Sequence, residues 1–262
     1  MKNLLSNVLL SLLICVASVA YGTNSDSEKE KNASHSAQEN KAFTVNGVSF
    51  VMVYVQGGNY MLGYDSIEPS NHSIDISDYY IGETEVTQGL WKAVMGSNPS
   101  EFKGDNLPVE NVNIDDVKTF LEKLNQLTGQ NFRLPISIEW EYAFRGGNKT
   151  NNYEYSGSND INAVAWCKEN SAERTHPVKS KQPNELGIYD MTGNVWEMCY
   201  GWNILLYTDH SQITYATKTS TKLVGRGGAW DMAESFCRVS SSSSGKVTRK
   251  NKNLGFRLVL SK

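Results

Sequence analysis

Missing from this 262-residue chain are most of the signatures that assign a chemistry on sight. It has no phosphate loop, no Gly-x-Ser-x-Gly elbow and no Gly-x-Gly-x-x-Gly after a strand, which removes the common nucleotide-binding and hydrolase readings. The four histidines, His35, His72, His176 and His210, show no His-Glu-x-x-His or paired Cys/His spacing, so a zinc site is not expected. Neither sign of charge is in excess. With a formal net charge of −3 the chain lacks the basic face that releases counterions from nucleic acid, and nucleic acid is not an expected partner. No internal repeat or heptad is present either.

The apolar run near the start reads as a secretory signal rather than a span. Lys2 precedes apolar residues from Val8 to Ala17, and Ser18-Val19-Ala20 puts small residues at the two positions a signal peptidase reads. Cys15 would anchor a lipoprotein only with a small residue before it, and Ile14 argues against that. Residues 1–20 are therefore expected to be removed, leaving no transmembrane span in the mature chain and a periplasmic, cell-surface or secreted protein. Residues 21–42 read as a flexible tether, because Thr23 to Ala42 carries no aromatic residue and too little apolar surface to offset the entropy of ordering. Cys167, Cys199 and Cys237 then remain in an oxidising compartment. Three thiols cannot all pair within one chain, so either one disulfide and a buried free thiol or three buried small hydrophobes follow.

Order is expected from Phe43. Alternating apolar residues mark strands that turn at Asn46-Gly47 and again at Gly57-Gly58, and a second alternating run covers His72 to Ile81. Helical spacing follows at Val86, Leu90, Trp91 and Val94, ending at Gly96. Asn113 is the expected N-cap of a helix that stops at Gly129, with Val117, Phe120, Leu121, Leu124 and Leu127 on its apolar face. A shorter helix from Ser137 carries Glu139, Trp140, Glu141, Tyr142 and Phe144 up to Gly146-Gly147. Carboxylates two apart on a helix face different ways, so Glu139 and Glu141 are not an acid/base pair; Arg133 and backbone amides are their expected partners. From Asn148 to Lys181 the composition is that of a long loop, a kind of segment that often carries function.

The densest stretch is Asn184 to Trp202, NELGIYDMTGNVWEMCYGW. Asp190 and Glu197 flank a short glycine turn, an arrangement in which two carboxylates and turn carbonyls can converge on a hard cation such as Ca²⁺. The other reading of the same residues has Asp190 capping the turn and Glu197 pairing with a nearby arginine.

The order of motifs along the chain carries a resemblance. Gly57-Gly-Asn-Tyr-Met-Leu-Gly63, Glu83-Thr-Glu-Val-Thr87, Pro108-Val109, Arg133-Leu-Pro135, Glu139-Trp-Glu-Tyr-Ala143, Gly187-Ile-Tyr-Asp-Met191, Gly193-Asn-Val-Trp-Glu197, Arg226-Gly-Gly228 and Gly255-Phe-Arg257 follow one another in register. From Phe43 to Leu260 this resembles the formylglycine-generating enzyme, or sulfatase-modifying factor, family. The resemblance implies a single compact, loop-rich α+β domain over residues 43–262 with a C-type lectin-like architecture.

Active members of that family oxidise a cysteine of a nascent sulfatase to Cα-formylglycine, using O₂ and a copper ion held by two cysteines that lie five apart after an Arg-Gly-Gly-Ser motif. Laid on that motif, the second cysteine falls on Cys237, the first on Met232 and the serine on Ala229. Linear Cu(I) coordination needs two soft anionic sulfurs, and a thioether is neutral and a weaker donor. Cys167 or Cys199 would make good the loss only by reaching over from elsewhere in the fold. Copper is therefore not expected, and the resemblance implies a non-oxidase member. It also implies a structural Ca²⁺ at the positions matching Asp190, Gly193, Val195 and Glu197. The family's second calcium site maps to Val164 to Thr175, where this chain is shorter, and is not carried over. Departures also occur at Ile136-Ser-Ile138, Met198 and Gly201.

The expected function is a calcium-supported binding or structural module of the cell envelope. Its ligand would be a protein or glycan engaged by Tyr207 to Thr221 and Ser240 to Lys252, with Trp196, Trp230 and the Tyr153 to Tyr155 segment as aromatic contacts. Two alternatives are a copper- and O₂-dependent oxidase producing Cα-formylglycine, and a structural part of a secretion or gliding apparatus.

Overall fold

A computed structural model describes residues 39–61, 73–201, 222–243 and 249–262. The signal, Cys15, most of the tether, His72, His210, the Tyr207 to Thr221 segment and part of Ser240 to Lys252 lie outside the described residues.

Asn46 and Gly47, at φ 47° and 81°, close a hairpin between β1 (Lys41–Val45) and β2 (Val48–Val55). Asn-Gly suits a turn that needs two left-handed residues in succession. Strand β1 begins two residues earlier than expected: Lys41 pairs with Met52 and Ala42 with Val51, and the Lys41 ammonium lies 4.2 Å from the Tyr80 ring centroid. Gly57-Gly58 is not a hairpin turn. Strand β3 (Gly58–Met61) leaves β2 and pairs with β4 (Ser73–Ile76), while β2 pairs with β5 (Tyr79–Gly82). The glycine is required by a backbone crossing, since a Cβ on Gly57 would stand 2.0 Å from the Ile76 carbonyl oxygen.

Helix α1 (Gln88–Met95) is capped by the Thr87 hydroxyl, which accepts from Leu90 N, and ends at Gly96 with φ 77°. Helix α2 (Ile114–Thr128) starts from the N-cap Asn113 and ends at Gly129, as the sequence indicates, and Asp116 completes a capping box with Asn113. Val117, Phe120 and Leu124 are buried, but Leu127 is 53 % exposed because the last turn carries it to the edge of the stripe.

The strand β6 (Phe132–Arg133), helices α3 (Ser137–Phe144) and α4 (Ile161–Val164), and strands β7 (Trp196–Tyr200), β8 (Leu223–Arg226), β9 (Ser242–Ser243), β10 (Leu254–Gly255) and β11 (Val259–Ser261) complete the described elements. One sheet runs β1-β2-β5-β11-β6 and another β10-β7-β8-β9. Alternate residues of the larger sheet enter different cores. Met52, Tyr80 and Leu260 join α1 and α2 in a cluster where Trp91 stacks on Phe120 at 5.1 Å, whereas Val53, Ile81 and Val259 join α3 around Trp140 and Phe144. Glu139 does both things expected of it: it takes a two-pronged contact from Arg133, 2.7 Å on each oxygen, and accepts from Ile136 N. Glu141 instead binds Arg226 and the Tyr60 hydroxyl.

Candidate functional site

The turn leading into β7 needs three left-handed residues, Asp190, Gly193 and Asn194, at φ 59°, 80° and 57°. Asn194 is used at every polar atom. Its backbone N donates to Trp166 O and its carbonyl accepts from Trp230 N, while its amide group donates to Glu85 and His176 O and accepts from His176 N. This one side chain ties the turn to the loop around His176, whose ring lies flat on Trp166 at 3.7 Å.

Beyond the turn, Glu197 points into the interior and is fully buried. Arg257 donates to both its oxygens, Nε to Oε2 and Nη2 to Oε1 at 2.6 Å each, and Trp140 Nε1 adds a third donor at 2.7 Å. Its Nη1 donates to Gly82 O and its Nη2 also to Tyr189 O. Asp190 accepts Lys179 N at 2.8 Å. A third buried carboxylate, Glu85, was not singled out by the sequence although it lies in the Glu83-Thr-Glu-Val-Thr87 motif. It accepts from Asn194 Nδ2 at 3.0 Å and Val195 N at 3.3 Å.

The four residues expected to hold calcium thus lie on one turn and the strand that follows it, but their donor chemistry divides. Asp190 keeps acceptor capacity beyond the amide of Lys179. Glu197 has its oxygens committed to a guanidinium and an indole. No group of three or more His, Cys, Asp or Glu side chains among the described residues is placed to hold a metal.

Three carboxylates and one guanidinium leave this cluster short of positive charge. Burial pushes Glu85 well above the usual carboxylate range, and the charges of Asp190 and Glu197 add to the effect. Burial also raises Asp190 to about 6, against the pull of the Lys179 amide and Arg257. Its folded value lies above its ordinary 3.8, so the stability contributed by its protonated form is present below about pH 4 and lost as pH rises through about 6. Unfolding midpoints measured from pH 4 to 7 should fall over that window, and less steeply in Asp190→Asn; identical slopes would contradict the assignment.

On the adjoining Arg226-Gly-Gly-Ala segment, Ala229 and Cys237 are fully buried and Met232 is half-buried. Met232 N donates to Ala229 O, and a short 3₁₀ turn, Glu234–Phe236, delivers Cys237. Gly228, at φ 79°, lies so close that a Cβ would stand 2.5 Å from Cys237 Sγ. All three described cysteines are free and buried. Burial raises Cys237 to about 12 and Cys167 to about 11, and pushes Cys199 well above the usual thiol range, so all three are protonated at neutral pH. Cys199 belongs to the Trp140 core, while Cys167 and Cys237 share a separate small cluster.

Above that cluster opens a cavity of about 260 Å³ lined by Trp196, Met232, Phe236, Ser242, Asn253 and Leu254 among others. Phe236 is 54 % exposed, an unusual state for a large aromatic residue. Asn253 is held by two contacts to Asp231, at 2.9 and 3.0 Å. Of the aromatic contacts read from the sequence, Trp196 is buried but reaches the cavity wall. Trp230 is a core residue, edge-on to Phe102 at 5.5 Å with its indole N–H on Lys252 O. Tyr155 is buried; Tyr153 is exposed.

The description "Sulfatase-modifying factor enzyme 1-like domain" matches residues 36–262. The chain belongs to this family. It is 33 % identical to the chaperone protein LppX of Paenibacillus barcinonensis, over 82 % of this chain and 91 % of that protein. It is 30 % identical to the formylglycine-generating enzyme of Streptomyces coelicolor, over 64 % of this chain and 57 % of the enzyme. It is also 27 % identical to the inactive Cα-formylglycine-generating enzyme 2 of Bos taurus, over 66 % and 56 % of the two chains. The match therefore spans little more than half the length of these last two relatives. Among solved structures, Treponema denticola variable protein 1 superposes with a TM-score of 0.73 at 30 % identity, covering 85 % of this chain and 99 % of that one. The sulfatase-modifying factor family thus includes oxidases and an inactive member, and this chain has its mixed α+β fold. No helix among the described residues is long and apolar enough to cross a membrane.

Proposed function

We propose that this sulfatase-modifying factor domain is an exported, cell-envelope binding module without oxidase activity, and that the cavity walled by Trp196, Met232 and Phe236 receives part of a protein or glycan partner. One observation carries the loss of chemistry: the family's first copper cysteine is Met232 and its serine is Ala229, while Cys237 is fully buried with its thiol raised to about 12. A protonated, enclosed thiol is a poor nucleophile and a poor ligand. The name of the LppX relative, a chaperone, supports a protein partner.

The cavity is suited to an apolar or aromatic group flanked by hydrogen-bonding atoms, because Trp196, Phe236 and Leu254 supply apolar wall and Ser242 and Asn253 supply polar rim. A glycan array and affinity capture from an envelope extract, each run with the wild-type chain and with Phe236→Glu, test it. Phe236 is exposed, so the substitution leaves the core alone. A ligand retained by wild type and weakened more than about tenfold by Phe236→Glu is expected, in line with an aromatic anchor worth about 2 kcal/mol; a ligand held equally by both proteins refutes the cavity.

Calcium belongs to the same proposal in a reduced form. Asp190 with the Gly193 and Val195 carbonyls would hold it, while Glu197 stays with Arg257. A rise in melting temperature with millimolar CaCl₂, absent in Asp190→Asn, is the expected outcome; no rise removes calcium from the account.

A further inference from the structure

The loop from Asn98 to Asp105 is held by two fully buried polar side chains, Gln88 and Glu110. Gln88 is satisfied: Nε2 donates to Phe102 O at 2.8 Å and Pro108 O at 3.1 Å, and Oε1 accepts from Asn98 Nδ2 at 2.8 Å and Gly104 N at 3.1 Å. Glu110 is not. Its Oε1 accepts from Phe102 N at 3.0 Å and its backbone N donates to Ser100 Oγ at 3.1 Å, but Oε2 is buried with no hydrogen-bond partner among the described residues. A neutral acid tolerates that far better than an anion does. Burial outweighs the Phe102 and Glu101 amides, which favour the charged form, and lifts Glu110 to about 7. The charged side chains acting on it are Glu101 and Lys103, one of each sign and both exposed; Lys103 donates to Asn98 O and Ser100 O.

This loop shares its anchors with the wall of the aromatic cavity. Phe102 meets Trp230 edge-on at 5.5 Å, and Trp230 Nε1 donates to Lys252 O. Asn111, next to Glu110, donates its N to Asn251 O at 2.9 Å and its side-chain amide to Pro99 O at 3.0 Å. Asn251 and Asn253 line the cavity.

We propose that Glu110 is a proton-operated latch on the cavity: as the neutral acid it lets the Asn98 to Asp105 loop close over it, and as the anion it opens that loop to water and slackens the wall at Asn251 to Asn253. The closed-loop value lies above the ordinary 4.5, so the contribution to closure is present in full below about pH 4.5 and is lost as pH rises to about 7. Across that window the opening constant grows by up to about tenfold per pH unit, and above it the constant levels off. As regulation of ligand binding the latch rests on the binding-module reading; the response of the loop itself does not.

The test is hydrogen exchange of the full chain followed by mass spectrometry from pH 5 to 7.5, with rates corrected for intrinsic exchange. Peptides covering residues 98–104 should open more than about tenfold more readily at pH 7.5 than at pH 5. Glu110→Gln, neutral at both, should abolish that dependence, whereas Asp190→Asn should leave it intact and so separate the latch from the titration of Asp190. Circular dichroism shows whether Glu110→Gln folds; if it does not, the carboxyl ¹³C resonance of Glu110 in the wild-type chain decides, with a midpoint near 7 expected and one near the ordinary 4.5 overturning the latch. Equal protection of residues 98–104 at both pH values, or a dependence kept in Glu110→Gln, would also overturn it. A loop that responds as expected while Phe236→Glu retains every captured ligand would refute the cavity and leave the latch standing.

Discussion

Replacing Arg257 by alanine should lower the unfolding free energy by about 3–5 kcal/mol, the usual cost of leaving one half of a buried ion pair without the other. Arg257 and Glu197 are both fully buried, and the guanidinium joins the carboxylate, Gly82 O and Tyr189 O. Removing it strands Glu197 beside Glu85 and Asp190, so the cluster loses its buried positive charge. For an ordered domain of this size the melting temperature should drop by roughly 10 °C. The double substitution Arg257→Met with Glu197→Leu should be far less destabilised than Arg257→Ala, because an apolar pair avoids the unpaired charge. Urea unfolding of the three proteins measures this; a single substitution costing under about 1 kcal/mol would show that the pair does not hold the turn.

Gly193→Ala should cost about 2–5 kcal/mol, from the left-handed backbone at φ 80° together with a Cβ placed 2.3 Å from the Trp166 carbonyl oxygen. Relief requires backbone to move, because the obstructing atom is main chain. The displaced segment also receives Asn194 N on Trp166 O, and the Asn194 side chain carries the contacts to Glu85 and His176. Loss of stability should therefore be accompanied by altered Trp166 fluorescence, since its ring stacks on His176. Unfolding and emission spectra of the variant check both, and a wild-type midpoint would mean that the turn is not closed against Trp166.

What could be read in the chain was local. The Asn46-Gly47 turn, the Asn113 N-cap, the stops at Gly96 and Gly129 and the Arg133–Glu139 pair all involve residues within a few positions of each other, where spacing and side-chain type determine geometry. The rest depends on residues far apart. Glu197 finds Arg257 sixty residues away, a pairing with no sequence period, and the same is true of Glu85 meeting Asn194. Strands β6, β9 and β10 have two residues each, too few for an alternating pattern. Gly57-Gly58 carries the composition of a hairpin turn but serves a backbone crossing, which only the partner strand reveals. The candidate site follows the same rule. Asp190 and Glu197 stand out in the sequence because they flank one glycine turn, whereas Cys167 joins Cys237 only through the fold.

The central claim, a family member that binds without oxidising, is tested most directly by incubating the full chain with Cu(I), a peptide carrying Cys-x-Pro-x-Arg, and air. Mass spectrometry of the peptide should find its cysteine unchanged after prolonged incubation, at the same level as with Cys237→Ser. Formylglycine produced by the wild-type chain and absent with Cys237→Ser would contradict the claim and restore this protein to the oxidases.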